Sequence, residues 1–320
     1  MKRLLLVPAM LLAAIAAAVV THRDQTRAVW TSLTGVPASA LVTALVLVLC
    51  QVGLQAVRLW TILPRDAPLT LGRVAHAFTL GEWANIFAPA RAGDALKVAL
   101  LNRAPAPRAL SLTQATGAVL ADKVVDAGSL VLLCGSMGVS TLVSTGMRIH
   151  VPDPAIVAGV SSLLLLLWLS YRCAPPKWLE RLAAWQRELV RGLAALKDPL
   201  RVVASSGCSL GAWIAEVLAL RVLCGALGAP LPLPLIVLAL GALNVGISIP
   251  VGVANLGVYE TALALGLEHG GAPLASAVAI ASLHHLLELG GINIAAAVLS
   301  LTVPSRNGRP IWSWGRQTLS

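Results

Sequence analysis

The feature that most limits what this chain can become is a series of apolar runs, over about 4–20, 41–62, 71–101, 110–137, 155–171, 202–227, 235–267 and 273–302. Several reach the roughly 18–20 residues a helix needs to cross a bilayer, a length no soluble core demands. A peptide group in lipid has no water to bond to, and a helix satisfies its backbone from within. Composition agrees: 57% of the chain is hydrophobic and 12% charged, against about 45–50% and about 25% in soluble domains. The expectation is all-α, a polytopic integral membrane helix bundle forming a single transmembrane domain over 1–320.

Two runs are interrupted. The stretch 71–101 contains Pro89 and Gly93 and carries Glu82, Arg91, Asp94 and Lys97; the stretch 235–267 contains Pro250, Gly252 and Gly257 and carries Glu260. Proline removes a helical hydrogen bond and clashes with the preceding turn. Such a break at membrane depth requires protein or a wet cavity to satisfy the freed backbone. Each stretch is read as a re-entrant pair of half-helices, which leaves six full spans; two short crossings per stretch give the same sidedness. With Lys2-Arg3 inside, the segments 1–3, 63–73, 97–111, 172–201 and 303–320 are cytoplasmic and hold 17 Lys and Arg, against 3 in 21–40, 138–154 and 228–234. The positive-inside rule asks for that asymmetry. It places both termini inside and the two broken elements facing opposite ways, an inverted-repeat arrangement found in transporters.

Residues 1–20 read as an uncleaved first span, the alternative being a signal peptide cut near Ala16-Ala17-Ala18. Segment 172–201, with Trp178, Leu182 and Trp185 among Lys177, Arg181, Arg187 and Arg191, reads as a cytoplasmic amphipathic linker at the interface. Residues 303–320 form a tail. The net charge of +10 lies mostly between apolar runs, so anionic lipid headgroups are the expected partner and nucleic acid is not. Cys50, Cys134, Cys173, Cys208 and Cys224 have neither disulfide nor metal spacing.

Half of the fourteen carboxylates fall in apolar stretches: Glu82, Asp94, Asp122, Asp126, Glu216, Glu260 and Glu288. Each costs about 2.5–3.5 kcal/mol at a helix centre on insertion scales, so they should face a bundle interior or a wet cavity. At the first break a half-helix starting near Gly93 offers free N–H groups to an anion, and Arg91 offers a fork that fits a phosphate. Asp94 there is either a first-turn helix stabiliser or a binder of a cationic headgroup or coupling proton, and Asn85 can satisfy open backbone groups. Asp122 and Asp126 share a helix face and need a cation between them; Lys123 lies about 100° away, so Arg91 or Arg58 is the candidate. Pro250, Gly257 and Glu260 echo the first break. Glu216 has Arg221 nearby as an ion-pair partner.

His284 and Glu288 stand one helical turn apart, but zinc needs further ligands and no HExxH motif is present. A hydrogen-bonded contact between helices is expected there, with no metal and no cofactor. No nucleophile elbow or nucleotide-binding loop is found, so an enzyme is not expected.

These clusters resemble the transmembrane, flippase-like domain of lysylphosphatidylglycerol synthases and its stand-alone relatives. That family carries a Pro-x-Arg-x-Gly-Glu element, a Leu-Glu-Arg-x-x-Asp helix and a late Pro…Gly-Gly-x-Gly-x-x-Glu element. The counterparts are Pro89, Arg91, Gly93 and Asp94; Asp122, Lys123 and Asp126; and Pro250, Gly257 and Glu260, in order within about residues 40–302. Asp94 stands for the usual Glu, Asp122-Lys123 for Glu-Arg, and the paired glycines are missing. The chain ends at Ser320 without an aminoacyl-transferase domain, so lysine transfer is not expected. The resemblance implies translocation of a phospholipid, glycolipid or polyprenyl- or hopanoid-type lipid across a bacterial inner (plasma) membrane. The alternatives are a membrane-embedded enzyme acting on a lipid headgroup and a non-catalytic subunit partnering a lipid-biosynthesis enzyme.

Overall fold

A computed structural model describes residues 23–64, 69–87, 92–103, 110–145, 197–248 and 253–303. Among them are nine α-helices and no strand: α1 Arg23–Thr34, α2 Ala38–Ile62, α3 Leu71–Phe87, α4 Ala92–Arg103, α5 Leu112–Thr145, α6 Pro199–Ala226, α7 Leu233–Ile247, α8 Val258–His269 and α9 Leu274–Thr302. The all-α membrane bundle is therefore the fold. The apolar runs 41–62, 110–137, 202–227 and 273–302 correspond to α2, α5, α6 and α9, while α1 is a helix within a segment read as an outer loop. The runs 4–20 and 155–171, nearly all of the amphipathic linker 172–201, and Pro89, Arg91 and Pro250 lie outside the described residues.

Helix ends follow local chemistry. Ser111 and Gln114 form a reciprocal capping box at α5: Gln114 N–H donates to Ser111 Oγ at 3.1 Å, and Ser111 N–H to Gln114 Oε1 at 2.9 Å. Asp198 Oδ1 accepts from Leu200 N–H at 3.0 Å, with Pro199 at the first helical position of α6. That helix stops where Gly228 turns left-handed at φ 70°, letting Ala229 N–H reach Cys224 O at 2.9 Å.

Among the described residues, three helices are long and apolar enough to cross a membrane: α2 with 25 residues, α6 with 28 and α9 with 29. Both interrupted runs are split as the prolines predict. The first becomes α3 and α4, of 17 and 12 residues; the second becomes α7 and α8, of 15 and 12 residues, with a single 3-10 turn at Val253–Asn255. At 1.5 Å per residue these pieces are about 18–25 Å long, short of a hydrocarbon core of about 30 Å. Each pair folds back on itself and packs as a helical hairpin.

The chain resolves into two compact units, residues 1–52 with 213–294, and residues 53–212 with 295–320. In the first, Leu220, Leu223, Leu240, Leu243 and Leu263 are fully enclosed and the α7–α8 hairpin supplies one wall. In the second, Leu59, Ile62, Val74, Phe78, Leu101 and Leu110 pack about the α3–α4 hairpin. Polarity runs opposite to that of a water-soluble protein. Val245 and Leu301 are 72% and 73% exposed, while Arg58 and Lys97 are 2% and 1% exposed. Lipid is the solvent that favours this distribution.

The α3–α4 hairpin closes backbone to backbone. A Cβ on Gly93 would strike the Gly81 carbonyl oxygen, and one on Gly81 would strike the stem of Lys97. Gly93→Ala should therefore cost about 1–3 kcal/mol, the usual penalty of overpacking, seen as a lowered thermal midpoint in detergent. Gly53→Ala, in α2 with nothing within 4 Å of the new carbon, should show no loss and serves as the matched control.

Candidate functional site

The unit of residues 53–212 and 295–320 concentrates its charge at the first broken hairpin. Lys97 on α4 makes a short charge-assisted bond to Glu82 on α3 and lies 2.9 Å from Asp94, one turn behind it. Its ammonium also sits 4.8 Å from the centre of the Phe78 ring, a cation–π contact. Asn85 Nδ2 donates to the second oxygen of Glu82 at 3.3 Å. From α5, Lys123 Nζ approaches the same two acids, 3.7 Å from Glu82 and 3.5 Å from Asp94. These longer separations are ion pairs without a hydrogen bond.

On the other side of α5, Arg58 from α2 lies between Asp122 and Asp126. Its Nε donates to Asp122 Oδ1 at 2.6 Å and a terminal nitrogen donates to Oδ2 at 3.1 Å, the bidentate fork of guanidinium on carboxylate. Its other terminal nitrogen bonds Asp126, and Ser209 from α6 closes the ring by donating to Asp126 at 3.1 Å. Arg58 is thus the cation that the paired aspartates require. Four carboxylates (Glu82, Asp94, Asp122, Asp126) meet three cations (Arg58, Lys97, Lys123), a net charge of one negative in this set. Arg91 immediately precedes α4 in sequence.

Among the expected site residues, Asn85, Asp94 and Lys123 converge with Glu82 at the hairpin, and Gly93 is its point of closest approach. Asp122 and Asp126 join through Arg58. Lys97, counted among cytoplasmic loop residues because it sits at the end of an apolar run, is instead the most enclosed charge of the hairpin. The asymmetry of basic residues becomes 16 to 3 and keeps its sign. Its signal was available: Asp94 precedes it by three residues, a helical pairing distance.

In the unit of residues 1–52 and 213–294, Gly257 caps α8 at φ 84°, a conformation glycine adopts without strain. Glu260 reaches back to accept from Gly257 N–H at 2.7 Å, and its other oxygen lies 2.7 Å from His285 Nδ1. Tyr259 stacks on His285 with ring centres 4.0 Å apart. Ala254 and Asn255, just ahead, also have positive φ, at 54° and 53°, so the second break stores backbone strain of the kind found at functional sites. Glu216 is paired differently from expectation: Oε2 accepts from Gln51 Nε2 at 2.9 Å. Arg221, five residues on and about 140° around the helix, is exposed.

The family model described as "Lysylphosphatidylglycerol synthase TM region" matches residues 4–296. No curated protein matches the chain.

Removing one partner of a buried ion pair leaves an uncompensated charge and costs about 3–5 kcal/mol. Arg58→Met should show that loss in thermal unfolding in detergent, because it strands both aspartates. Adding Asp122→Asn to it should recover part of the loss, and a double-mutant cycle on the two positions reads the coupling.

Proposed function

Because the chain belongs to the lysylphosphatidylglycerol synthase TM-region family, a family tied to membrane lipid, we propose that it moves a lipid across the bilayer. The polar cluster of the α3–α4 hairpin receives the headgroup, and the apolar outer surface leaves the acyl chains in lipid. The observation that carries this reading is a set of charges gathered at a broken helix inside an apolar bundle. Structural ion pairs alone would not need the break. Lys123 is the accessible cation of the set, with a third of its side chain exposed. Arg91 adds a phosphate-shaped fork. The near-balanced charge suits a zwitterionic or neutral headgroup bearing a phosphate better than a multiply charged one. Both termini on the cytoplasmic side of an inner membrane belong to the same proposal and rest on the distribution of Lys and Arg.

The test is transport in proteoliposomes holding the full chain and a fluorescent phospholipid, with quencher added outside. Arg91→Ala and Lys123→Ala should slow movement at least about ten-fold, the worth of one charged hydrogen bond in the rate-limiting state. Glu260→Gln keeps the cap, since glutamine serves the same position, and should slow movement while leaving unfolding unchanged. Unaltered rates in all three variants remove these residues from the mechanism. Conversion of the phospholipid to a new covalent product, read by mass spectrometry, would replace transport with headgroup chemistry.

A further inference from the structure

A second polar cluster stands in the unit of residues 1–52 and 213–294, and the proposed lipid movement assigns it no part. Glu216 comes from α6, and His284 and Glu288 come from α9. Each offers a ligand atom, and these atoms lie within 4.8 Å of one another. His284 is 0% exposed and Glu216 is also buried. The far side of two of these groups is already held. Tyr259 Oη lies 2.7 Å from His284 Nδ1, and Gln51 donates to Glu216 Oε2 at 2.9 Å. On the near side, His284 Nε2 and Glu288 Oε1 are buried without a hydrogen-bond partner among the described residues.

Two buried polar atoms left unpaired cost about 1–3 kcal/mol each, and two carboxylates so close in apolar surroundings repel. A cation between them removes both penalties. His284 Nε2 and Glu288 Oε1 are 4.0 Å apart. That is too long for a hydrogen bond, which spans about 2.7–3.2 Å. Two ligands of one ion with bonds of about 2.0–2.2 Å stand about 3.3–4 Å apart, depending on the angle between them. The Tyr259 Oη contact on His284 Nδ1 accommodates the tautomer in which Nδ1–H donates and Nε2 aims a lone pair at the centre, the outer-partner arrangement of metal-bound histidines. One imidazole and two carboxylates suit a zinc-class ion rather than Mg²⁺ or Ca²⁺, which prefer all-oxygen shells. A divalent ion also leaves the site electrically neutral. The spacing of His284 and Glu288 gave only two ligands; the third is on a helix distant in sequence, which is why it was not foreseen.

We propose that Glu216, His284 and Glu288 form a binding site for a divalent transition-metal ion of the zinc class, with a fourth position open to water. The site needs no lipid to form, so its test is separate from that of transport. Untagged full chain in detergent is stripped with chelator, incubated with Zn²⁺ or Co²⁺, and freed of unbound metal. Wild type should retain about one zinc per chain and give the strong visible absorption of four- or five-coordinate Co²⁺. His284→Gln and Glu288→Gln should each lower zinc retention at fixed free metal at least about ten-fold, and zinc should raise the thermal midpoint of wild type but not of the variants. The proposal is overturned if wild type retains no zinc, which would assign the cluster to a shared proton. Retention unchanged in both variants, which would place the metal elsewhere, also overturns it. Where a variant fails to fold, the wild-type Co²⁺ spectrum decides: a six-coordinate, aqueous-type spectrum overturns the site.

Discussion

Lys97 organises the hairpin unit. A buried ammonium beside the Phe78 ring, its stem against Gly81, persists in that setting only with acid on more than one side. Glu82 arrives from α3 and Asp94 from α4, so the lysine ties the two half-helices together at the level of their charge. The same side chain sets how close the helices come. Its methylene stem lies over Gly81, where any side chain would displace it, and the Gly81 carbonyl in turn faces Gly93. Glycine on both helices and acid on both helices are thus two expressions of one packing arrangement, close approach around a buried cation. Widening the hairpin would loosen the lysine's hold on Glu82 and leave it short of a counter-charge.

Asp94 has two parts in that arrangement. It lies in the first turn of α4, where a carboxylate stabilises the free N–H end of the helix, and it faces both Lys97 and Lys123. Stabilising a helix start and binding charge had been alternatives for this residue. In the folded chain the helix-start role coincides with ion pairing to two lysines of the protein itself, because the break that frees the helix end also brings α5 alongside it.

Much of this was legible in the sequence because membrane burial makes polar residues conspicuous. Pro89 and Pro250 marked both hairpins, since a helix rarely continues through proline in an apolar run. The i,i+4 spacing of Asp122 and Asp126 demanded a cation, and Arg58, a basic residue within an apolar run, supplied it. Lys97 was misplaced because a charge at the end of an apolar run reads as a loop residue, and nothing local shows the run folding back. Glu216 was assigned to Arg221 because sequence reveals neighbours along a helix, while Gln51 belongs to another helix altogether. Both misses turn on contacts between different helices, Lys97 with Glu82 and Gln51 with Glu216, which periodicity along one helix does not encode.

The contacts within the hairpin cluster also differ in how readily they can be exchanged, and that ordering bears on how a headgroup could enter. Arg58 holds Asp122 through two hydrogen bonds and Lys97 holds Glu82 through one. Breaking a charged hydrogen bond in an enclosed site sacrifices about 1.5–3 kcal/mol before anything replaces it. Lys123 stands 3.5 and 3.7 Å from its acids, so it contributes Coulomb attraction with little directional bonding and keeps a third of its surface open. A phosphate oxygen can approach it without first breaking a hydrogen bond. On the proposed reading, exchange at Lys123 would therefore have a smaller barrier than exchange at Arg58 or Lys97, whose hydrogen-bonded acids make them the more fixed part of the cluster.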